Sequence, residues 1–61
     1  MMAYSTMKKL IRNANARFES GEWDQEAYEA YKEAQGNKLD VFFAAGRLTE
    51  GQYEELAGLW V

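Results

Sequence analysis

Hydrophobic and polar positions recur with a helical period along nearly the whole chain. The first apolar stripe consists of Met7, Leu10, Ile11, Ala14 and Phe18. Steps of three or four residues place such a stripe on one face of an α-helix. We therefore predict a first helix over about residues 5–20, with Ser5 as its N-cap and residues 1–4 as a loose lead-in.

The second stripe runs through the middle of the chain and crosses a glycine. It consists of Tyr28, Tyr31, Gln35, Leu39, Phe42 and Gly46. Because glycine destabilises a helix interior by about 1 kcal/mol, one alternative is a break at Gly36, with Asn37 capping a separate short helix. A break would normally shift the phase of the stripe, and the phase is kept. We favour one long helix over about residues 25–45, either straight or bent at Gly36.

The third stripe lies near the C-terminus and consists of Tyr53, Leu56, Ala57 and Trp60. It predicts a short helix over about residues 50–59, in which Trp60 either closes the core or anchors an interface. The preceding segment 41–45, Val-Phe-Phe-Ala-Ala, is apolar on every side. We expect helices 1 and 3 to surround it, with a second molecule as an additional candidate neighbour.

One motif joins these stripes and occurs twice, 25 residues apart. The first copy contains Phe18, Gly21, Trp23, Asp24 and Tyr28, and the second contains Phe43, Gly46, Leu48, Thr49 and Tyr53. In each, a glycine past a helix end can adopt positive φ, and Asp or Thr then caps the next helix. The flanking apolar residues have the spacing of a hydrophobic staple, and Thr49 with Gln52 forms a capping box. The motif predicts two helix–turn–helix corners; a second interpretation, display of Trp23 and Tyr28 to a partner, is less favoured because a staple keeps both partly buried.

The composition limits the chemistry available to the chain. Its 61 residues, 48 % of them hydrophobic, suit a single helical domain over residues 1–61. Because Cys and His are absent, a disulfide framework and Cys/His metal sites are excluded. We find no nucleophile–base pair, calcium loop or phosphate-binding loop. We therefore expect a protein that is not an enzyme and needs neither a cofactor nor a metal.

The net charge of −3 is unevenly distributed. The first 18 residues contain four basic residues and no acidic one, whereas residues 19–33 contain six acidic residues and Lys32. We expect the basic first helix to pack beside the acidic second helix. Lys8, Lys9 and Arg12, with Asn13 and Asn15, could contact nucleic acid, but the net acidity disfavours this alternative. No apolar run reaches the roughly 18 residues needed to cross a bilayer. Membrane binding by helix 1 is disfavoured as well, because its positive charge is needed beside helix 2.

The last third of the chain carries a resemblance. Its residues are Val41, Phe42, Gly46, Leu48, Thr49, Gln52, Tyr53, Glu55, Leu56 and Gly58. In this pattern the chain resembles the XkdX-like family of small proteins encoded among the tail and late genes of Gram-positive phages and prophages. The resemblance implies a phage-type accessory protein in the bacterial cytoplasm, and it supplies no catalytic residues.

Two hypotheses for the function follow. In the first, the protein is an assembly accessory that acts by protein–protein contact or self-association, with a homodimer favoured and contacts at Tyr31, Phe42 or Trp60. In the second, it inhibits a host defence enzyme. The acidic residues Glu22, Glu26 and Glu29 would then block a nucleic-acid-binding surface by charge complementarity.

Overall fold

Three helices form the fold, as the three apolar stripes predict. The computed structural model describes residues 3–61, in which α1 spans Ala3–Glu19, α2 spans Gln25–Ala44 and α3 spans Glu50–Ala57. The described chain contains helices and turns only, and each helix packs against the other two. The prediction of an all-α, three-helix domain with a long middle helix is confirmed. Within residues 3–61, no helix is long and apolar enough to cross a membrane.

The first helix begins earlier than predicted. Ser5 lies inside α1 and is not its N-cap, because the helix already includes Ala3 and Tyr4. Ala3 is buried in the core beside Met7 and Ile11, so the apolar stripe of α1 extends one turn further toward the N-terminus than predicted. The predicted lead-in is therefore wrong for residues 3 and 4, while Met1 and Met2 lie outside the described residues.

The middle helix is 20 residues long and passes through Gly36 without a break. Its N-cap is Asp24, whose carboxylate accepts a hydrogen bond from the Ala27 amide at 2.8 Å. The helical stripe across the glycine, rather than the low helix propensity of Gly36, decides the structure here. This outcome is typical where tertiary packing of one face outweighs about 1 kcal/mol of local propensity.

Both corners have the same backbone geometry. Gly21 and Gly46 adopt φ values of +84° and +77°. In the first corner, the Glu22 amide donates to the Arg17 carbonyl at 2.9 Å, and the Gly21 amide donates to the Phe18 carbonyl at 3.1 Å. The second corner repeats both bonds 25 residues later at the same distances. This pair of bonds is the Schellman motif, which terminates a helix by satisfying its last carbonyls.

The third helix has the predicted start and an earlier end. Thr49 accepts from the Gln52 amide while the Gln52 side chain accepts from the Thr49 amide, which completes the capping box. The helix stops at Ala57, two residues before the predicted end, and Gly58 caps it. Ala57 is exposed, so its place in the buried stripe was wrong, whereas Leu56 is fully buried.

The core lies between the three helices. Its buried apolar cluster consists of Ala3, Met7, Ile11, Leu39, Leu48 and Leu56. Gln35 is also buried, as its position in the second stripe predicts, and its side-chain oxygen has no hydrogen-bond partner within residues 3–61. A single layer of large apolar side chains thus connects all three helices.

The segment 41–45 is not surrounded, contrary to the prediction. Val41 is 64 % exposed and Phe43 is 41 % exposed, and Ala44 and Ala45 are also exposed. Only Phe42 packs against the core. The helices α1 and α3 pack against α2 without enclosing this segment, so its apolar side chains remain largely in contact with solvent. We call Val41, Phe43, Ala44 and Ala45 the α2 apolar surface.

The expected charge pairing between α1 and α2 is also wrong. Within residues 3–61, one ion pair joins Lys8 of α1 to Glu55 of α3 at 3.2 Å, and the other joins Arg17 to Glu22 in the first corner at 3.5 Å. Neither ion pair joins α1 to a carboxylate of α2; these two helices pack against each other through apolar side chains instead. Surface charge pairs are too weak to override such packing.

Candidate interaction site

The first corner carries a cluster of aromatic rings with the buried ring of Tyr28 at its centre. The rings of Phe18 and Tyr28 are stacked with centroids 4.5 Å apart, and Trp60 packs its edge against Tyr28 at 5.8 Å. Tyr31 contacts Trp60 at 6.4 Å and Trp23 at 4.9 Å. Trp23 therefore pairs with Tyr31, one turn beyond the staple partner that its spacing suggests. The Tyr28 side chain is only 3 % exposed.

Hydrogen bonds attach the C-terminal residues to this stack. The Tyr28 hydroxyl donates to the Asn15 side chain at 2.6 Å and accepts from the Val61 amide at 3.0 Å. The Asn15 amide in turn donates to the Leu59 carbonyl at 2.8 Å. Asn15 thus holds the chain terminus and is not available to read a base, which weakens the nucleic-acid alternative.

A polar cluster joins the start of α1 to α3. The Tyr4 hydroxyl donates to the Glu55 carboxylate at 2.6 Å and accepts from the Lys8 ammonium at 3.3 Å. The hydrogen bond from Tyr4 and then the bond and charge of Lys8 lower the pKa of Glu55 from its ordinary value. The hydrogen bond to Tyr4, followed by the hydrogen bond to Glu55, raises the pKa of Lys8.

The second corner has an equivalent pair of stacked rings, but this pair is partly exposed to solvent. Phe43 and Tyr53 are stacked with centroids 4.8 Å apart, close to the geometry of Phe18 and Tyr28. The Tyr53 hydroxyl donates to Asp40, and this hydrogen bond, followed by the carboxylate charge, raises the pKa of Tyr53. Tyr53 is half-buried and Phe43 is exposed. The second stack is therefore partly in contact with solvent, unlike the first.

A groove lies beside this open stack, between α2 and α3. Its volume is about 600 Å³. We call it the α2–α3 groove; its lining residues are Glu29, Lys32, Glu33, Gly36, Asn37, Leu39, Asp40, Tyr53, Ala57 and Trp60. The aromatic rings and Leu39 provide an apolar surface, and three carboxylates oppose one lysine at the rim. Such a surface can bind an apolar side chain flanked by positive charge.

The structure separates the six residues predicted to bind a partner. Glu22 and Glu26 are exposed outside the groove, and Glu29 is exposed at its rim. Tyr31 and Phe42 are half-buried, the first against Trp60 and the second against the core. Trp60 is half-buried; it packs against the core, as one of the two alternatives predicts, and its ring also lines the groove.

Sequence reasoning missed the other residues of the groove and the exposure of the α2 apolar surface. Gly36 was considered only as a candidate interruption of α2, and Glu33 and Asp40 were given no role in a site. One signal was available, because the 25-residue repeat extends from the corners into the helices that flank them. The repeat predicts the groove residues only when the contacts of the equivalent residues in the first copy are known.

Comparisons with known proteins add no assignment. No family model matches the sequence, and neither the curated proteins nor the solved structures contain a match.

Proposed function

We propose that this protein has no enzymatic role and acts by contact with other proteins, as a phage-type accessory or assembly protein. The observation that supports this most directly is the α2 apolar surface. Val41 and Phe43 expose 64 % and 41 % of their surface on one end of α2. Val41 shares one face of α2 with the exposed Ala44 and Ala45, and exposed apolar groups of this kind are typical of interaction sites. The resemblance of residues 41–58 to small phage proteins gives the setting, a bacterial host cell.

Self-association is the simplest form of this proposal, with a homodimer favoured. A 61-residue chain buries a limited share of its apolar surface, so a second copy would cover what one chain exposes. Light scattering of the full chain at several concentrations tests this. Val41→Lys places a charge on the α2 apolar surface and should reduce any dimer, whereas Ala34→Lys, at another exposed position of α2, should not. A monomer at every concentration would exclude self-association and leave a different protein as the partner.

The second candidate is inhibition of a host nucleic-acid-binding enzyme. The exposed positions of Glu22, Glu26 and Glu29 favour it, because solvent-facing carboxylates are available for a basic surface. Replacing all three by Lys should abolish capture of such an enzyme from a lysate of infected cells while helicity is retained. Capture that survives the triple change would exclude this candidate.

A further inference from the structure

The two copies of the corner motif extend into a longer structural repeat. The equivalent residues, 25 positions apart, are Tyr4 and Glu29, Lys8 and Glu33, Ile11 and Gly36, Asn15 and Asp40, and Tyr28 and Tyr53. Because the two corners share the same backbone hydrogen bonds and the same aromatic stack, each pair occupies equivalent places on its helix. The first repeat consists of α1 and the start of α2, and the second consists of the rest of α2 and α3.

In the first repeat, α3 and the residues after it fill the groove between the two helices. Glu55 contacts Tyr4 and Lys8, at 2.6 and 3.2 Å. The Leu59 carbonyl accepts from Asn15, and the Val61 amide donates to the Tyr28 hydroxyl. Four residues of the first repeat therefore bind one helix and its C-terminal extension.

In the second repeat, the four equivalent residues line the α2–α3 groove. They are Glu29, Glu33, Asp40 and Tyr53. The groove is thus the counterpart of the place where α3 sits in the first repeat, and the described chain leaves it open to solvent. This equivalence indicates that a helix followed by an extended segment fits the groove.

The side chains of the groove indicate how that helix differs from α3. Tyr4 and Lys8, which bind the carboxylate of Glu55, are replaced by Glu29 and Glu33, so the incoming helix needs Lys or Arg where α3 has Glu55. Ile11 is fully buried, whereas a Cβ added at its counterpart Gly36 would meet no atom within 4 Å. The groove is therefore wider at this point and accommodates a large apolar side chain.

We propose that the α2–α3 groove binds an amphipathic helix of another protein, in the manner of α3 in the first repeat, with a basic side chain between Glu29 and Glu33. A second copy of this chain does not supply such a helix. Its basic helix α1 buries Met7 and Ile11 in its own core and exposes mainly polar side chains. The inference rests on the proposed role in protein–protein interaction and specifies the chemistry of the partner.

A labelled peptide tests the proposal directly. The probe is residues 48–61 of this chain with Glu55→Lys, and fluorescence anisotropy measures its binding to the full-length protein. We expect binding that weakens as the salt concentration rises, because the contact includes opposite charges near the surface. The same peptide with Glu55 retained should bind about tenfold more weakly, since its carboxylate would face Glu29 and Glu33.

Variants of the protein locate the binding. Glu29→Lys combined with Glu33→Lys should weaken binding of the Lys-containing peptide by about tenfold, and Gly36→Leu should weaken it by filling the groove. The matched control is Glu19→Lys combined with Glu54→Lys, which makes the same charge change at exposed positions outside the groove. The control should bind as the unaltered protein does, and circular dichroism checks that each variant remains helical.

Three results would overturn the proposal: no binding of the Lys-containing peptide in the micromolar range, equal binding of both peptides, or equal weakening by the groove and control variants. Self-association that the double change at Glu29 and Glu33 abolishes would also overturn it, by making a second copy the occupant. These results leave the proposed function standing. That function fails separately, if the full chain is monomeric and captures no protein from infected cells.

Discussion

Two glycines, at residues 21 and 46, have a backbone conformation that side chains disfavour. Both have φ near +80° and both have open space where a Cβ would be. Any penalty for Ala at these positions therefore comes from the backbone and not from a clash. Gly36 differs, since it lies inside α2 with helical geometry and open space around it.

This contrast gives a prediction for three single substitutions. Gly21→Ala and Gly46→Ala should each destabilise the fold by about 1–2 kcal/mol, because Ala resists the left-handed conformation. Gly36→Ala should stabilise it by about 1 kcal/mol, because Ala is the better helix former. Urea unfolding followed by circular dichroism measures all three. A loss of stability in Gly36→Ala would show that the glycine has a structural role in α2 beyond its propensity.

Tyr28 and Tyr53 are equivalent in the repeat but differ in burial. Tyr28→Phe leaves the half-buried Asn15 oxygen and the Val61 amide without their partner, and should cost about 1–2 kcal/mol. Tyr53→Phe removes a hydroxyl that water can replace, so its effect should be smaller. Thermal unfolding of the two variants provides the comparison. Equal effects would contradict the difference in burial between the two stacks.

At the scale of the helices, capping and packing act together. Asp24 and Thr49 determine where α2 and α3 begin, and the two glycine corners determine where the preceding helices end. The cluster of Tyr4, Lys8 and Glu55 then joins the first and last helices across 51 residues of sequence. Because this cluster is accessible to solvent, it adds little to the stability of the α3 packing, which depends mainly on apolar contacts.

The cluster makes stability depend on pH in a defined direction. The pKa of Glu55 is lowered in the folded state, so its contribution is present above the ordinary value of 4.5 and is lost as the pH falls through the lower, folded value. Glu55→Gln should therefore flatten the acid side of the stability curve. Denaturant unfolding at several pH values between neutral and acidic measures the slope. An unchanged slope would show that other carboxylates dominate the acid response.

On the alkaline side the sign is reversed. The pKa values of Lys8 and Tyr53 are raised by folding, so their contributions are present below their ordinary values and are lost as the pH rises beyond them. Lys8→Met should reduce the loss of stability at high pH, because it removes one of the two groups whose pKa values folding raises. The control is Lys9→Met, at an exposed neighbouring position, which should leave the alkaline slope unchanged.

For the whole molecule, the C-terminal residues complete the core of the first repeat. Trp60 contacts Tyr28 and Tyr31, and its neighbours Leu59 and Val61 bind Asn15 and Tyr28. The chain is short, so the loss of one aromatic side chain affects a large share of its stability.

Trp60→Ala should therefore lower the free energy of unfolding by about 2 kcal/mol, less than for a fully buried Trp because the ring is half-buried. Val61→Ala, an exposed change that keeps the backbone amide, is the matched control and should have little effect. Chemical denaturation measures both. A stable Trp60→Ala variant that no longer binds the peptide probe would instead assign the ring to the groove alone.

The helical class, the two corners and the continuity of α2 could all be predicted from the sequence. These depend on local signals: apolar spacing, glycines with positive φ, and capping residues next to them. The part of the 25-residue repeat that forms the corners could also be recognised in the sequence. It did not identify the start of α1, because Ala3 is weakly apolar and its burial depends on Met7 and Ile11 being covered by other helices.

The packing of the three helices determines which apolar residues are buried and which repeat has its groove filled. The segment 41–45 has the composition of a core, yet three helices have too little surface to enclose it, so four of its five side chains are exposed. Likewise, Tyr28 and Tyr53 have the same local sequence context, and only the return of the chain terminus to α1 distinguishes them. Burial depends on contacts between residues far apart in the sequence, and such contacts are not encoded in any local pattern.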